Sequence, residues 1–205
     1  MRTGITQTLL RDWLYCFSCA EGYEQEAEDK FLLSLKREKG EQTEAMKNGI
    51  LFENGIYALM KNPHDLTVYP QWKEVSRRIA DQLRGGQVQV YVERAITVDS
   101  EDYLLYGFCD VVKQGQIYDI KWTSSSFHSD DLAGRYLESP QHPAYMYCLP
   151  EAYRFTYMVS DGKELCTESY SRSQTPPIAD VISLFRQDVK RRGLDELYRE
   201  KWVRP

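Results

Sequence analysis

No stretch of the 205-residue sequence approaches the roughly 18 consecutive apolar residues that a membrane-spanning helix needs. A signal-peptide core is missing as well, since Met1-Arg2-Thr3-Gly4 runs straight into a patterned segment. The expected setting is therefore cytoplasmic, with no membrane partner. Cysteine is sparse and odd in number, five residues at Cys16, Cys19, Cys109, Cys148 and Cys166. In a reducing compartment such a set reads as free thiols rather than as a disulfide framework. Cys16-x-x-Cys19 has metal-ligand spacing, yet no second cysteine or histidine pair answers it, and packed small side chains are the better reading. The three histidines, His64, His128 and His142, share no metal spacing. There is no Gly-rich phosphate loop and no helicase segment, which excludes built-in ATP-driven activity. Positive charge is in deficit: 26 Lys and Arg against 31 Asp and Glu leave a net −5. That balance argues against indiscriminate coating of nucleic acid, where affinity comes from cations neutralising phosphates. A local basic groove remains compatible with it.

What is present is an ordinary globular composition, 42% hydrophobic and 28% charged, in a length that suits one sizeable core. No repeat or linker interrupts it. A single domain over residues 1–205 is expected, helical in 1–85 and built on a sheet in 86–205. Leu9, Leu10, Trp13, Leu14 and Phe17 recur at helical spacing in 5–18. A second amphipathic segment covers 25–39 and stops at Gly40. The third begins at Thr43, a suitable N-cap, carries Phe52, Glu53, Ile56 and Tyr57, and is closed by Asn62-Pro63. A fourth covers 70–84. Gly85-Gly86 marks a change of period, after which 88–98, 103–113 and 116–123 read as strands. The last two carry apolar residues on both faces, as a twice-covered sheet requires. Residues 124–137 are polar and read as a loop or short helix. A helix near 139–149, strands near 153–159 and 165–170, and a terminal helix from 178 to about 201 complete an α/β order.

The hairpin 103–123 holds the most informative constellation. A turn centred on Gln114-Gly115 sets Asp110 opposite Asp119, and directly opposed side chains have Cβ atoms about 4.5–5.5 Å apart. Two carboxylates at that separation in an apolar sheet repel one another and are costly to bury. A shared divalent cation removes the conflict. Lys121 projects from the same strand face as Asp119. A hard cation such as Mg²⁺ prefers carboxylate and water oxygens, polarises a phosphoryl oxygen and acidifies a water. Lys121 would orient or deprotonate that water, or stabilise the transition state. A surface hairpin with solvated charges gives the same bare spacing; the apolar flanks on both faces argue for the buried one.

Four segments in order then resemble the RecB-like and phage-exonuclease branch of the PD-(D/E)XK nucleases, over roughly residues 5–150. Thr8-Leu9-Leu10-x-x-Trp13-x-x-Cys16 looks like the N-terminal helix of that family. Gly49-Ile50-Leu51-Phe52-Glu53 is similar to its Gly-x-x-x-His/Glu helix motif. Gly107-Phe108-Cys109-Asp110 and Asp119-Ile120-Lys121-Trp122-Thr123 resemble its Gly-x-x-Asp and Asp-x-Lys-Thr strands. Ser139-Pro140-Gln141-x-x-x-Tyr145 looks like its Gln-x-x-x-Tyr helix, with Gln141 and Tyr145 on one face.

The resemblance implies a restriction-endonuclease-like α/β fold, with a mixed sheet of about five strands flanked by helices. It implies Asp110 and Asp119 as metal ligands, Glu53 as a third ligand or a residue supporting the ligands, the Ile120 backbone carbonyl as a further oxygen, and Lys121 as the catalytic lysine. By the resemblance Gln141 and Tyr145 would support the DNA strand or the site; Arg135 is a candidate phosphate contact by its charge, and Ser124 a candidate substrate contact. Glu53 stands where many members carry His, which favours an all-oxygen site for Mg²⁺ or Mn²⁺. No cysteine follows Cys166, so no iron–sulfur cluster is expected. The implied activity is metal-dependent DNA hydrolysis, by an exonuclease of phage or bacterial recombination and repair, with a homo-oligomer or a recombination protein as partner. The alternatives are a non-catalytic DNA-binding or assembly subunit and an RNA or nucleotide phosphodiesterase.

Other candidates have plainer readings. Glu93 precedes the hairpin and is better read as a surface or salt-bridged residue. Arg77-Arg78 and Lys190-Arg191-Arg192 are candidate phosphate contacts, the latter better read as a solvated helix face. His128 lies in the polar segment beside the site. Tyr136, Tyr145 and Tyr147 could stack on unpaired bases, although core or rim positions suit them better.

Overall fold

The computed structural model describes residues 2–65, 67–124 and 134–204. A short strand β1 (Arg2–Ile5) leads into helices α1 (Gln7–Ser18), α2 (Glu24–Lys36), α3 (Glu44–Lys61) and α4 (Lys73–Leu83). Strands β2 (Gln87–Val98), β3 (Glu101–Lys113) and β4 (Gln116–Trp122) follow, then α5 (Gln141–Cys148), β5 (Arg154–Ser160) and β6 (Leu165–Ser171). The chain closes with α6 (Ile178–Arg191), α7 (Asp195–Trp202) and β7 (Val203–Arg204). Local chemistry sets several boundaries. The Thr6 and Thr43 hydroxyls accept from the backbone N–H of Leu9 and Met46, capping α1 and α3. Both long hairpins turn on two residues with positive φ, Asp99-Ser100 (50° and 66°) and Gln114-Gly115 (50° and 72°), the geometry that matches strand twist.

The seven strands run in the order β6-β5-β4-β3-β1-β7, with β2 paired to β3. β1 lies parallel to β3 and β4 parallel to β5, while the remaining pairs are antiparallel. This is a mixed α/β fold with a central mixed sheet flanked by helices. Two of its strands escape the sequence reading: β1 and β7 have four and two residues, too short to show a period. β1 also means that the region up to residue 85 is not wholly helical. The terminal helix divides at Gly193 (φ 70°), a left-handed stop that glycine tolerates.

Helices cover both sheet faces. On one, Leu9, Leu10, Trp13, Phe31, Phe185 and Tyr198 pack with Cys109, Ile117, Phe155 and Tyr157. On the other, Phe52, Ile56, Trp72, Val75 and Ile79 of the α3–α4 segment pack on Val111, Ile120 and Met158. Each large side chain removed from water in this way contributes about 1.5–3 kcal/mol. Cys109 and Val111 are two residues apart on β3, a spacing that normally keeps side chains on one face. Yet they belong to different cores. The irregularity falls on Asp110.

Candidate active site

The β3–β4 register is the expected one at Lys113–Gln116, Val112–Ile117 and Val111–Tyr118, and the ladder ends there. Asp110 and Asp119 are the next residues in line but are not paired, because the strands diverge at this point. Beyond it β3 takes β1 as neighbour at Tyr103–Leu105. The β2–β3 ladder also skips the pair at Asp110: Val88 faces Val111 and Val90 faces Cys109, and Gln89 between them has φ 50°. Asp110 therefore sits in a fork, released from regular pairing on both sides.

The fork is closed by side chains. Asp110 Oδ2 accepts the Ile120 N–H at 2.8 Å, replacing the missing ladder carbonyl. In a strand the N–H and C=O of one residue face the same neighbour, so the Ile120 carbonyl opens toward the same gap. Asp119, 2% exposed, accepts from the Gln141 amide at Oδ1 and meets the Lys121 ammonium at 2.7 Å through Oδ2. Oδ2 is buried and accepts no properly angled hydrogen bond among the described residues. Glu53 reaches the fork from α3, on the other sheet face. Its Oε1 accepts from Tyr57 Oη, one turn further along, and from Gln89 Nε2 at 2.9 Å.

Electrostatics show how few cations serve these groups. Burial, then the neighbouring Asp119 and Glu53, hold the Asp110 carboxyl well above its ordinary range despite Lys121. Burial raises Glu53 too, against its hydrogen bond from Tyr57 and with a push from Asp119. Burial alone would lower Lys121, but Asp119 and Asp110 outweigh it and hold the ammonium above its ordinary value. In their present rotamers the carboxylates do not form a closed ligand set: among the described residues no three His, Cys, Asp or Glu side chains have metal-holding geometry. Each is turned toward a protein donor instead. The donor chemistry nevertheless fits a hard divalent cation, because three carboxylates share one ammonium and a buried Asp119 oxygen lacks a hydrogen bond.

Gln141 and Tyr145 are buried, 7% and 6% exposed, and act as braces. Gln141 holds Asp119. The Tyr145 ring lies on the backbone of Gly107, where a Cβ would stand 2.7 Å from Cε1 and 3.0 Å from Oη. Only glycine admits that approach. Tyr136 stacks on Tyr157 with ring centroids 4.1 Å apart, and Lys121 and Asp119 both act on its hydroxyl. Ser124 follows β4 and Arg135 lies in the turn before α5; both are exposed. His128 lies outside the described residues. His142 is a core residue, fully buried, stacked on Tyr170, and pushed down to about 4 by burial. Lys190, Arg191 and Arg192 are engaged in ion pairs with Glu101, Asp188 and Glu28. Tyr57, Gln89, Gln7 and Arg11 were not singled out by sequence: Gln7 acts on Tyr145 and Arg11 on Lys121. Tyr57 had a signal, one helical turn after Glu53. Gln89 had none.

No protein-family model matches the chain, nor does any curated protein sequence. Solved structures do match. SSO0001 superposes with TM-score 0.54 at 14% identity, over 93% of this chain and 77% of that one. LHK-Exo in complex with dAMP gives TM-score 0.46 at 11% identity, over 96% and 92%. Rai1 of Scheffersomyces stipitis gives 0.40 at 12%, over 93% and 61%. At these identities the SSO0001 likeness establishes shared architecture and nothing about chemistry. Among the described residues no helix is long and apolar enough to cross a membrane.

Proposed function

We propose that the chain is a metal-dependent deoxyribonuclease of the PD-(D/E)XK type, acting as an exonuclease in DNA recombination or repair. One observation carries the reading. Three buried or half-buried carboxylates, Glu53, Asp110 and Asp119, lie within electrostatic reach of one another at a strand fork, with Lys121 paired to Asp119. Glu53, Asp110, Asp119 and the Ile120 carbonyl would hold Mg²⁺ or Mn²⁺. When bound, that cation supplies Lewis acidity toward a phosphoryl oxygen and acidifies a water.

This chain's own residues do the rest. Lys121, charged and one-third exposed along its side chain, places a positive charge where a phosphodiester accumulates negative charge on attack. Gln141 keeps Asp119 oriented, and Tyr145 seats α5 against Gly107. The exposed Ser124 and Arg135 and the half-buried Tyr136 would contact a DNA strand. A homo-oligomer or a recombination protein would supply the further surface a long substrate needs.

End-labelled linear, circular and single-stranded DNA, and RNA of the same sequence, test the reading with Mg²⁺, Mn²⁺ or EDTA, beside Lys121→Ala. Metal-dependent cleavage of linear DNA is expected, lowered by about 10²–10³-fold in the variant. Cleavage of linear but not circular DNA establishes exonuclease action. No metal-dependent cleavage of any substrate refutes the enzyme, and a preference for RNA refutes the deoxyribonuclease.

A further inference from the structure

Gln89 stands in the middle of β2 with φ 50°, a left-handed backbone that side chains other than Gly, Asn and Asp rarely adopt. Packing does not demand a glutamine there, because the residue is exposed. If backbone shape alone mattered, glycine would serve without strain. The side chain is what the position uses. Its amide nitrogen lies 2.9 Å from both Glu53 Oε1 and Tyr57 Oη and donates to the pair. Tyr57 in turn donates to the same Oε1. The two oxygens are too close together to take separate amide hydrogens, which diverge by about 120°; one amide hydrogen is shared between them, and Oε1 also receives the Tyr57 hydroxyl hydrogen. Gln89 also faces Asp110 across the interrupted ladder, so the residue that breaks pairing beside one carboxylate fixes the rotamer of another.

We infer that Gln89 is a positioning residue for cation binding. With Tyr57 it saturates Oε1 of Glu53 and reserves Oε2 for the metal. Glu53 sits on a helix over one sheet face while Asp110 and Asp119 belong to the sheet itself, and this triangle ties the helix carboxylate to the fork. The inference rests on the metal-centre reading above. Strain kept at a site is explained when the surrounding hydrogen bonds require it, and groups that orient a ligand typically change metal affinity by about 10–100-fold when removed.

Mn²⁺ titration followed by the electron-spin-resonance signal of the free ion tests it without any cleavage assay. In Gln89→Gly the backbone is unstrained and the donor is gone, so the thermal midpoint is expected to hold or rise while Mn²⁺ affinity falls about 10–100-fold. Gln89→Asn tolerates the left-handed backbone but is one methylene too short to reach Glu53. It is expected to behave alike, and it carries the test if the glycine variant does not fold. A residue with a merely structural role would lower the midpoint and leave affinity alone. Native affinity in both variants, with binding lost in Asp110→Asn, overturns the role of Gln89 and leaves the metal centre standing. No Mn²⁺ binding by the native chain, or equal binding by Asp110→Asn, refutes the metal centre and this inference with it.

Discussion

The strand fork and the cluster around Arg186 both take carboxylates out of water, and their charge balance is opposite. Arg186, 3% exposed, is paired with Asp195 and Glu101 and donates to the Tyr103 hydroxyl. Lys190 and Arg199 reach Glu101 as well, each at 2.9 Å. Three cations there serve two carboxylates. Tyr103, Lys190, Arg199 and Arg186 together push Glu101 down to about 2, and Arg186 and Arg199 hold Asp195 low against the opposing effect of burial. In the fork one ammonium serves three carboxylates, and Asp110 and Glu53 are both raised. A cluster that fastens α6 and α7 to β3 is closed on itself. A cluster left short of positive charge, with carboxylates perturbed by burial and by one another, is a candidate functional site.

Breaking the closed cluster has the largest expected effect. Arg186→Ala removes a buried guanidinium and leaves the Tyr103 hydroxyl without its donor, while Lys190 and Arg199 still pair with Glu101 and Arg199 with Asp195; a loss of about 2–3 kcal/mol is expected in urea unfolding. Cleavage per folded molecule stays unchanged. Lost activity in fully folded protein would show that the two clusters are coupled. Next comes the brace between them and α5. Gly107→Ala drives a methyl into the Tyr145 ring, with an expected cost of about 1–3 kcal/mol. Cleavage falls with it, since β3 carries Asp110 three residues on; a stability like the native chain's would mean that the ring moves freely.

The smallest effect sharpens the comparison by pH. Asp110 is raised, so its contribution is favourable at acid pH and is lost as pH rises through the folded value. Asp110→Asn keeps the acceptor for the Ile120 N–H and removes the charge. In metal-free buffer near pH 8 it is expected to be more stable than the native chain, on the order of 1 kcal/mol. Glu101 is depressed, so its contribution is complete above its ordinary 4.5 and is lost as pH falls toward about 2. Glu101→Gln should therefore lower stability at pH 7 and flatten the acid limb. Unfolding midpoints against pH for both variants check this, and slopes of the same sign would abolish the contrast.

Of the two regions, only the fork was open to a reader of the sequence. The hairpin turn at Gln114-Gly115 gave the correct register over the three pairs nearest the turn, because strand period and turn type leave little freedom. Asp110, Asp119 and Lys121 stand out as charges inside an apolar hairpin, whereas Glu53 is named only through the resemblance of Gly49-Ile50-Leu51-Phe52-Glu53 to a nuclease helix motif. Gln141 and Tyr145 were legible as one helix face, although burial makes them braces. The division of the terminal helix, β1 and β7 were not legible, since two to four residues carry no period. Nor was the Arg186 cluster, whose members Glu101, Arg186 and Asp195 are far apart in the chain and ordinary in their local surroundings.

By itself the sequence determined most of the helices and the longer strands, where most of them stop, and which carboxylates lie on the central hairpin. Those outcomes follow from interactions within a few residues: side-chain period, caps and turns. Tertiary structure alone decided that β3 and β4 part at Asp110, that Glu53 arrives from across the sheet, and that a glutamine in left-handed backbone holds it there. These depend on contacts between Glu53, Gln89 and Asp110, brought together from separate elements. No local period records such contacts, because the free energy that fixes them is realised only when the helices and the sheet have packed.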